Sequence, residues 1–275
     1  MQIKTKFEKL ERVGVIDVGS NSVRLVVFDG AARSPAYFFN EKVLCGLGRG
    51  ISEAGVLHPV GRKRALSAME RFAALATSFD VQSLEAVATA AVRDATDGLA
   101  FCAEVKVKTG IKIRIISGPE EARYSAQGVL LGRPEATGLV SDLGGASMEL
   151  ATIEGGAVGT CLSSPLAPLR LMDMERNVDK YIRKSLKELQ NQICGEHKTL
   201  HLVGGSYRAI ANIDMARRSY PLQVLHAYTL SVDELIQTLD WIDGTNDGDL
   251  SAISSSSVAR LRLVPMAARV LRQLV

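Results

Sequence analysis

The chain has 275 residues, of which 47% are apolar and 23% charged, a globular composition that excludes a mainly disordered protein. Thirty-three Lys and Arg against 30 Asp and Glu leave a net charge of only +3, so no nucleic-acid partner is expected. No stretch approaches the ~20 apolar residues of a membrane span, and the opening MQIKTKFEKL lacks a signal-peptide core; a cytoplasmic protein with no membrane partner is expected.

In chain order, Val13–Ile16 is β-branched and apolar. It runs into the polar turn Asp17-Val18-Gly19-Ser20-Asn21-Ser22, and a second apolar run follows from Val23 to Phe28. Strand, tight turn, strand is the expectation. A third strand is expected over 36–44, then a loop at Gly46, Gly48 and Gly50. Over 58–78, Leu66, Met69, Phe72, Ala73 and Ala76 recur at helical spacing. A buried strand is expected at 84–88, a helix at 97–107, a half-exposed strand at 112–116 and a helix from Ser117 or Gly118 to about Leu131. The second half repeats the opening: strands at 138–140, 148–152 and 157–162, polar helices over 166–194, a short strand at 200–203, then mostly helix from Ser206. Ser254–Ser257 reads as a loop or helix cap. The four cysteines and four histidines lack metal-ligand or disulfide spacing and receive no role.

The strongest signal is internal. Asp17-Val18-Gly19-Ser20-Asn21-Ser22-Val23-Arg24-Leu25 and Asp142-Leu143-Gly144-Gly145-Ala146-Ser147-Met148-Glu149-Leu150 share Asp, Gly, Ser and Leu at a constant offset of 125 residues. Two related α/β domains facing one another are expected. Gly and Ser in a tight turn let successive backbone N–H groups converge on phosphate oxygens. An Asp ending the preceding strand can hold a metal ion beside them. Two ordinary hairpin turns are the rival reading, and the fixed offset argues against it. Neither turn is a Walker A loop or a dinucleotide fingerprint.

Such paired domains resemble the actin–sugar kinase superfamily, and five segments resemble one family within it, the Ppx/GppA phosphatases. These are Ile16–Ser22, Ala88–Asp94, Ile116–Arg123 (Ile-Ser-Gly-Pro-Glu-Glu-Ala-Arg), Asp142–Leu150 and Val203–Ala209, in family order. The resemblance implies an α/β fold of two ribonuclease H-like domains, mixed sheets flanked by helices, facing an interdomain cleft. The domains are expected at 1–125 and 126–275.

The resemblance also implies roles. Glu121 is the catalytic base. Gly19, Ser20, Asn21 and Ser22 hold phosphate, as do Gly144, Gly145, Ala146 and Ser147. Arg93 contacts the substrate phosphates, and Gly204 and Gly205 face an anion at a helix start. Asp142 and Glu149 are metal-side carboxylates for Mg²⁺ or another divalent cation, with Asp17 as a third candidate. Rival readings stand beside these. Ser117 through Glu120 is also a capping box, which accounts for Glu120 but not Glu121. Arg93 could be a solvated loop residue, and Glu149 an outward charge on a strand.

The implied activity is hydrolysis of terminal phosphoanhydride bonds of polyphosphate, of pppGpp, or of both. Water activated by Glu121 attacks while the turns and the cation hold the phosphates. Polyphosphate is the preferred reading. Two departures from the family motivate an alternative, a shortened non-catalytic paralogue that binds phosphate ligands or a partner. Ala146 stands where the family has a third Gly, which would be strained at positive φ. The chain also ends after a helix at 257–275, without the return strand and helix of relatives. Val258, Leu261, Leu263, Val264, Ala267, Val270, Leu271 and Leu274 on that helix are then expected to leave apolar surface uncovered, so a self-associating protein, as a homodimer, or an incomplete one is expected.

Overall fold

The computed structural model describes residues 11–30, 36–246, 248–250 and 261–275; the expectations for Ser254–Ser257 and Val258 fall outside them. The chain divides into two compact units, one ending at Ser117 and the other running from Gly118 to Val275. That division falls at 117/118 rather than at 125/126, because the helix beginning at Gly118 packs on strands of the second unit.

The first unit is built on a five-stranded mixed sheet. Its strands are β1 (Val13–Val18), β2 (Ser22–Phe28), β3 (Tyr37–Leu44), β4 (Ser83–Ala88) and β5 (Ile113–Ile115), in the order β3-β2-β1-β4-β5. β1 pairs antiparallel with β2 and parallel with β4. Alternation sets its faces: Ile16 and Val18 of β1 and Val23, Leu25 and Val27 of β2 are fully buried. They meet Met69 and Phe72 of α2 (Pro59–Ser78) and Phe101 and Val105 of α4 (Gly98–Thr109) in one core. A four-residue helix, α1 (Ile51–Ala54), follows the glycine loop. α3 (Ala90–Asp94) occupies what reads in sequence as a connecting loop.

The second unit repeats the plan with β6 (Gly138–Leu143), β7 (Met148–Glu154), β8 (Ala157–Ser164) and β9 (Leu200–Val203), in the order β8-β7-β6-β9. β6 pairs antiparallel with β7 and parallel with β9, as β1 does with β2 and β4. Both faces of this sheet are covered. On one, α5 (Gly118–Gly132) brings Ala122 and Ala126 against Val140, Ala151 and Ile153. On the other, Leu143, Met148 and Leu150 join α6 (Pro168–Met172), α7 (Val178–Gln190), α8 (Gly205–Arg217), α9 (Val232–Asp243) and α10 (Val264–Leu274).

Among the described residues the stretch after Ser206 is mostly helical, as expected, but it is interrupted at 218–231, which is irregular, with positive φ at Ser219 and Ala227 and a proline at 221. One expectation is corrected. The last helix does not leave its apolar stripe uncovered. Val264, Ala267, Ala268, Val270 and Leu271 are all fully buried against α6, α7, α8 and α9, while Leu274 is partly exposed. Among the described residues, no helix is long and apolar enough to cross a membrane.

Candidate active site

Each sheet presents a glycine-containing turn at the carboxyl ends of its parallel strands, the end where ligands bind in open α/β sheets. In the first unit, Gly19 N–H donates to Ser22 O at 3.0 Å; in the second, Gly144 N–H donates to Ser147 O at 3.0 Å. The 125-residue repeat is therefore one hydrogen-bonded turn built twice. Ser20 and Ser147 are both buried. Ala146 is absent from the described non-glycine residues with positive φ (Asp80, Asn177, Ser219 and Ala227), so its methyl introduces no backbone strain, and it is buried. That removes one of the two reasons for expecting an inactive paralogue.

The first turn has Arg93 at the same end of the sheet. It lies in α3, after β4, where its Nη1 donates to Ile116 O at 3.1 Å and its Nε lies 3.6 Å from Asp94. It is a held side chain, about one-quarter exposed, not a solvated loop residue. Asp17 is exposed and stands opposite Arg24 in the β1–β2 ladder.

The second turn carries a different charge pattern. Asp142 and Glu149 face each other across the β6–β7 ladder, side by side on the α5 face. Glu149 is 1% exposed, which excludes the outward-charge reading. Its Oε1 accepts from Ser163 Oγ at 2.9 Å, and Ser163 is its ladder partner on β8. Its Oε2 is buried without a hydrogen-bond partner among the described residues. Burial, with the Glu121 charge second, pushes the Glu149 pKa up to about 8, against the pull of the Ser147 and Ser163 hydroxyls. Burial also raises Asp142, opposed by the Ser125 hydroxyl and the charge of Arg208. Ser125 Oγ hydrogen-bonds Asp142 Oδ2.

Two glycines make this assembly possible. A Cβ on Gly118 would come within 2.2 Å of Ser163 Cβ and 2.3 Å of its Oγ, so α5 starts hard against the serine that holds Glu149. Glu121, half-buried, is in the first turn of that helix, and Ser125 lies one turn on, along the same face. Gly204, with φ of 104°, brings the start of α8 so close that a Cβ would meet Leu143 O at 2.7 Å and Asp142 Oδ1 at 2.8 Å. Gly205 opens α8.

The second unit thus brings together Glu121, Asp142, Gly144–Ser147, Glu149 and Gly204. The first unit brings together Gly19–Ser22 and Arg93, with Asp17 beside them but exposed. Sequence reasoning missed Ser125, Ser163, Arg170 and Arg208. Of these, Ser125 had a signal in its four-residue spacing from Glu121, and Arg208 in its place within the Val203–Ala209 segment. Among the described residues, no three His, Cys, Asp or Glu side chains converge as a metal cage, so any divalent cation here would be completed by water and substrate oxygens.

A profile of the Ppx/GppA phosphatase family matches residues 26–275. The chain belongs to the Ppx/GppA phosphatase family. Its Ppx/GppA relatives include exopolyphosphatase 1 of Mycobacterium tuberculosis, 31% identical over 163 residues, which are 58% of this chain and 47% of that one. Exopolyphosphatase 2 of the same organism is 32% identical over 175 residues, 60% of this chain and 54% of that one. The chain spans about half the length of the curated relatives it matches. Among solved structures, an exopolyphosphatase from Cytophaga hutchinsonii superimposes with a TM-score of 0.86 at 23% identity, covering 96% of this chain and 89% of that one. The Ppx/GppA protein of Aquifex aeolicus superimposes at 0.75 and 21% identity, with the same coverage. The fold is the actin-like one of this family, mixed sheets flanked by helices.

Proposed function

We propose that the protein hydrolyses terminal phosphoanhydride bonds of polyphosphate, with Glu121 as the base that orients and deprotonates the attacking water. The observation that carries the reading is the contrast between the two copies of the repeat. Where the first ladder sets Asp17 opposite Arg24, the second sets Asp142 opposite a buried Glu149 whose Oε2 has no hydrogen-bond partner among the described residues. A buried, like-charged pair of hard oxygen donors calls for a proton or a divalent cation. Asp142 and Glu149 fit Mg²⁺; Asp17, exposed beside Arg24, fits it less well. Mg²⁺, when bound, would neutralise charge on the phosphate oxygens. Glu149, held neutral or cation-bound, leaves Glu121 as the carboxylate able to accept a proton.

In the second unit, Gly144–Ser147 and the Gly204-Gly205 helix start would offer amides and a hydroxyl to phosphoryl oxygens; taken by itself, the first unit would offer those of Gly19–Ser22 with Arg93. The transition state of phosphoryl transfer spreads charge over these oxygens, so fixed donors stabilise it without moving. Nothing in this reading requires a base pocket, which favours a linear polyphosphate over pppGpp. We take the compartment to be the cytoplasm.

The purified chain with polyphosphate and Mg²⁺ is expected to release inorganic phosphate, to lose that activity with EDTA, and to regain it on Mg²⁺ addition. Tight binding of polyphosphate with no release would favour a non-catalytic phosphate-binding protein instead.

A further inference from the structure

We propose that Arg170 is a positioning residue that holds the second turn open toward an anion. The inference rests on the reading of Gly144–Ser147 as a phosphate grip. It comes from asking where the carbonyls of the two turns go. In the first turn, Ser20 O accepts from Gly48 N at 2.8 Å, and Asn21 O accepts from Cys45 N at 2.9 Å and Gly46 N at 3.0 Å. In the second, Gly145 O accepts from Leu169 N at 3.1 Å, and Ala146 O accepts from Arg170 Nε at 2.9 Å. The pinned carbonyls are the same two positions of the repeat.

A trans peptide sets each N–H antiparallel to the carbonyl before it. Pinning the Gly145 and Ala146 carbonyls toward α6 therefore turns the Ala146 and Ser147 amides the other way, and the first turn does the same for Asn21 and Ser22. Two successive amides directed to one side make an anion-binding concavity. The two units reach this arrangement by different means. The first uses backbone donors alone, which survive side-chain substitution. The second uses one backbone amide and one guanidinium. Arg170 suits the task because its Nε–H is fixed in a rigid plane. Its helix is anchored by the buried Pro168 and Leu171. Without it the Ala146–Ser147 peptide is free to rotate and aim its carbonyl at the anion.

The test is titration of the full chain with tripolyphosphate, comparing wild type with Arg170→Met and Arg170→Gln. Arg170→Met is expected to bind about tenfold more weakly, the scale of one lost charge-assisted hydrogen bond. Arg170→Gln keeps a neutral N–H donor and is expected to stay within about threefold of wild type. The ¹⁵N amide resonance of Ser147 should shift in ligand-free Arg170→Met and much less in Arg170→Gln. Arg170→Met binding like wild type overturns the proposal. Gln binding as weakly as Met also overturns it, since charge and not orientation would then be the contribution. Failure of the wild type itself to bind tripolyphosphate removes the phosphate-grip reading and this inference together.

Discussion

Glu149 stands where its repeat partner is an arginine. Arg24 stands opposite Asp17 in the first ladder, whereas Glu149 adds a second negative charge beside Asp142. The resemblance pointed to Asp142 and Glu149, but burial of Glu149 was not legible: an acid in a strand ordinarily faces water. It faces α5 instead, because helices cover both faces of this sheet. Linkage gives the burial a measurable sign. Glu149 is raised from its ordinary 4.5 to about 8. Between those values the folded state keeps a proton that the unfolded state has lost, so this group makes stability fall as pH rises. Urea denaturation in EDTA at pH 5 and pH 8 is expected to show a larger loss for wild type than for Glu149→Gln, whose side chain does not titrate. Equal losses would mean that Glu149 is ionised in the folded protein without a cation.

At the scale of elements, periodicity located most strands and helices within a residue or two. The Pro59–Ser78 helix starts one residue after the first expected position, with His58 as its N-cap accepting from Gly61 N at 3.2 Å. The stretch after Ser206 is mostly helical as read; the interruption at 218–231 is set by tertiary contacts, in a loop whose Tyr228 hydroxyl bonds the buried Asp214 of α8. The apolar breadth of α10 was read correctly, but most of its described apolar residues are covered by four other helices of the same unit instead of lying exposed. Leu271 is fully buried there. Leu271→Ala is expected to cost about 2–5 kcal/mol in chemical denaturation. An effect below about 1 kcal/mol would mean that this helix is peripheral to the core.

At the scale of the molecule, the two-unit plan was legible because the repeat is short, polar and at a fixed offset. Hydrophobic positions alone would not have revealed it. The division at Ser117/Gly118 was less legible, since the segment Ile116–Arg123 reads as one motif although its helix packs on the second sheet. The pinning of turn carbonyls by the loop at 45–48 left no sequence signal, because backbone donors have no side-chain signature, and Arg170 lies outside both repeats, so its reach to Ala146 O shows only in the fold. The central proposal is that water activated by Glu121 cleaves a terminal phosphoanhydride bond of polyphosphate. Its most direct test is inorganic phosphate release from polyphosphate by wild type and Glu121→Gln at saturating Mg²⁺, with binding measured alongside. A positioned base contributes ~10²–10⁴-fold, so the variant should bind polyphosphate nearly as well and turn it over at least about a hundredfold more slowly. Retention of more than about half the wild-type rate would contradict the account.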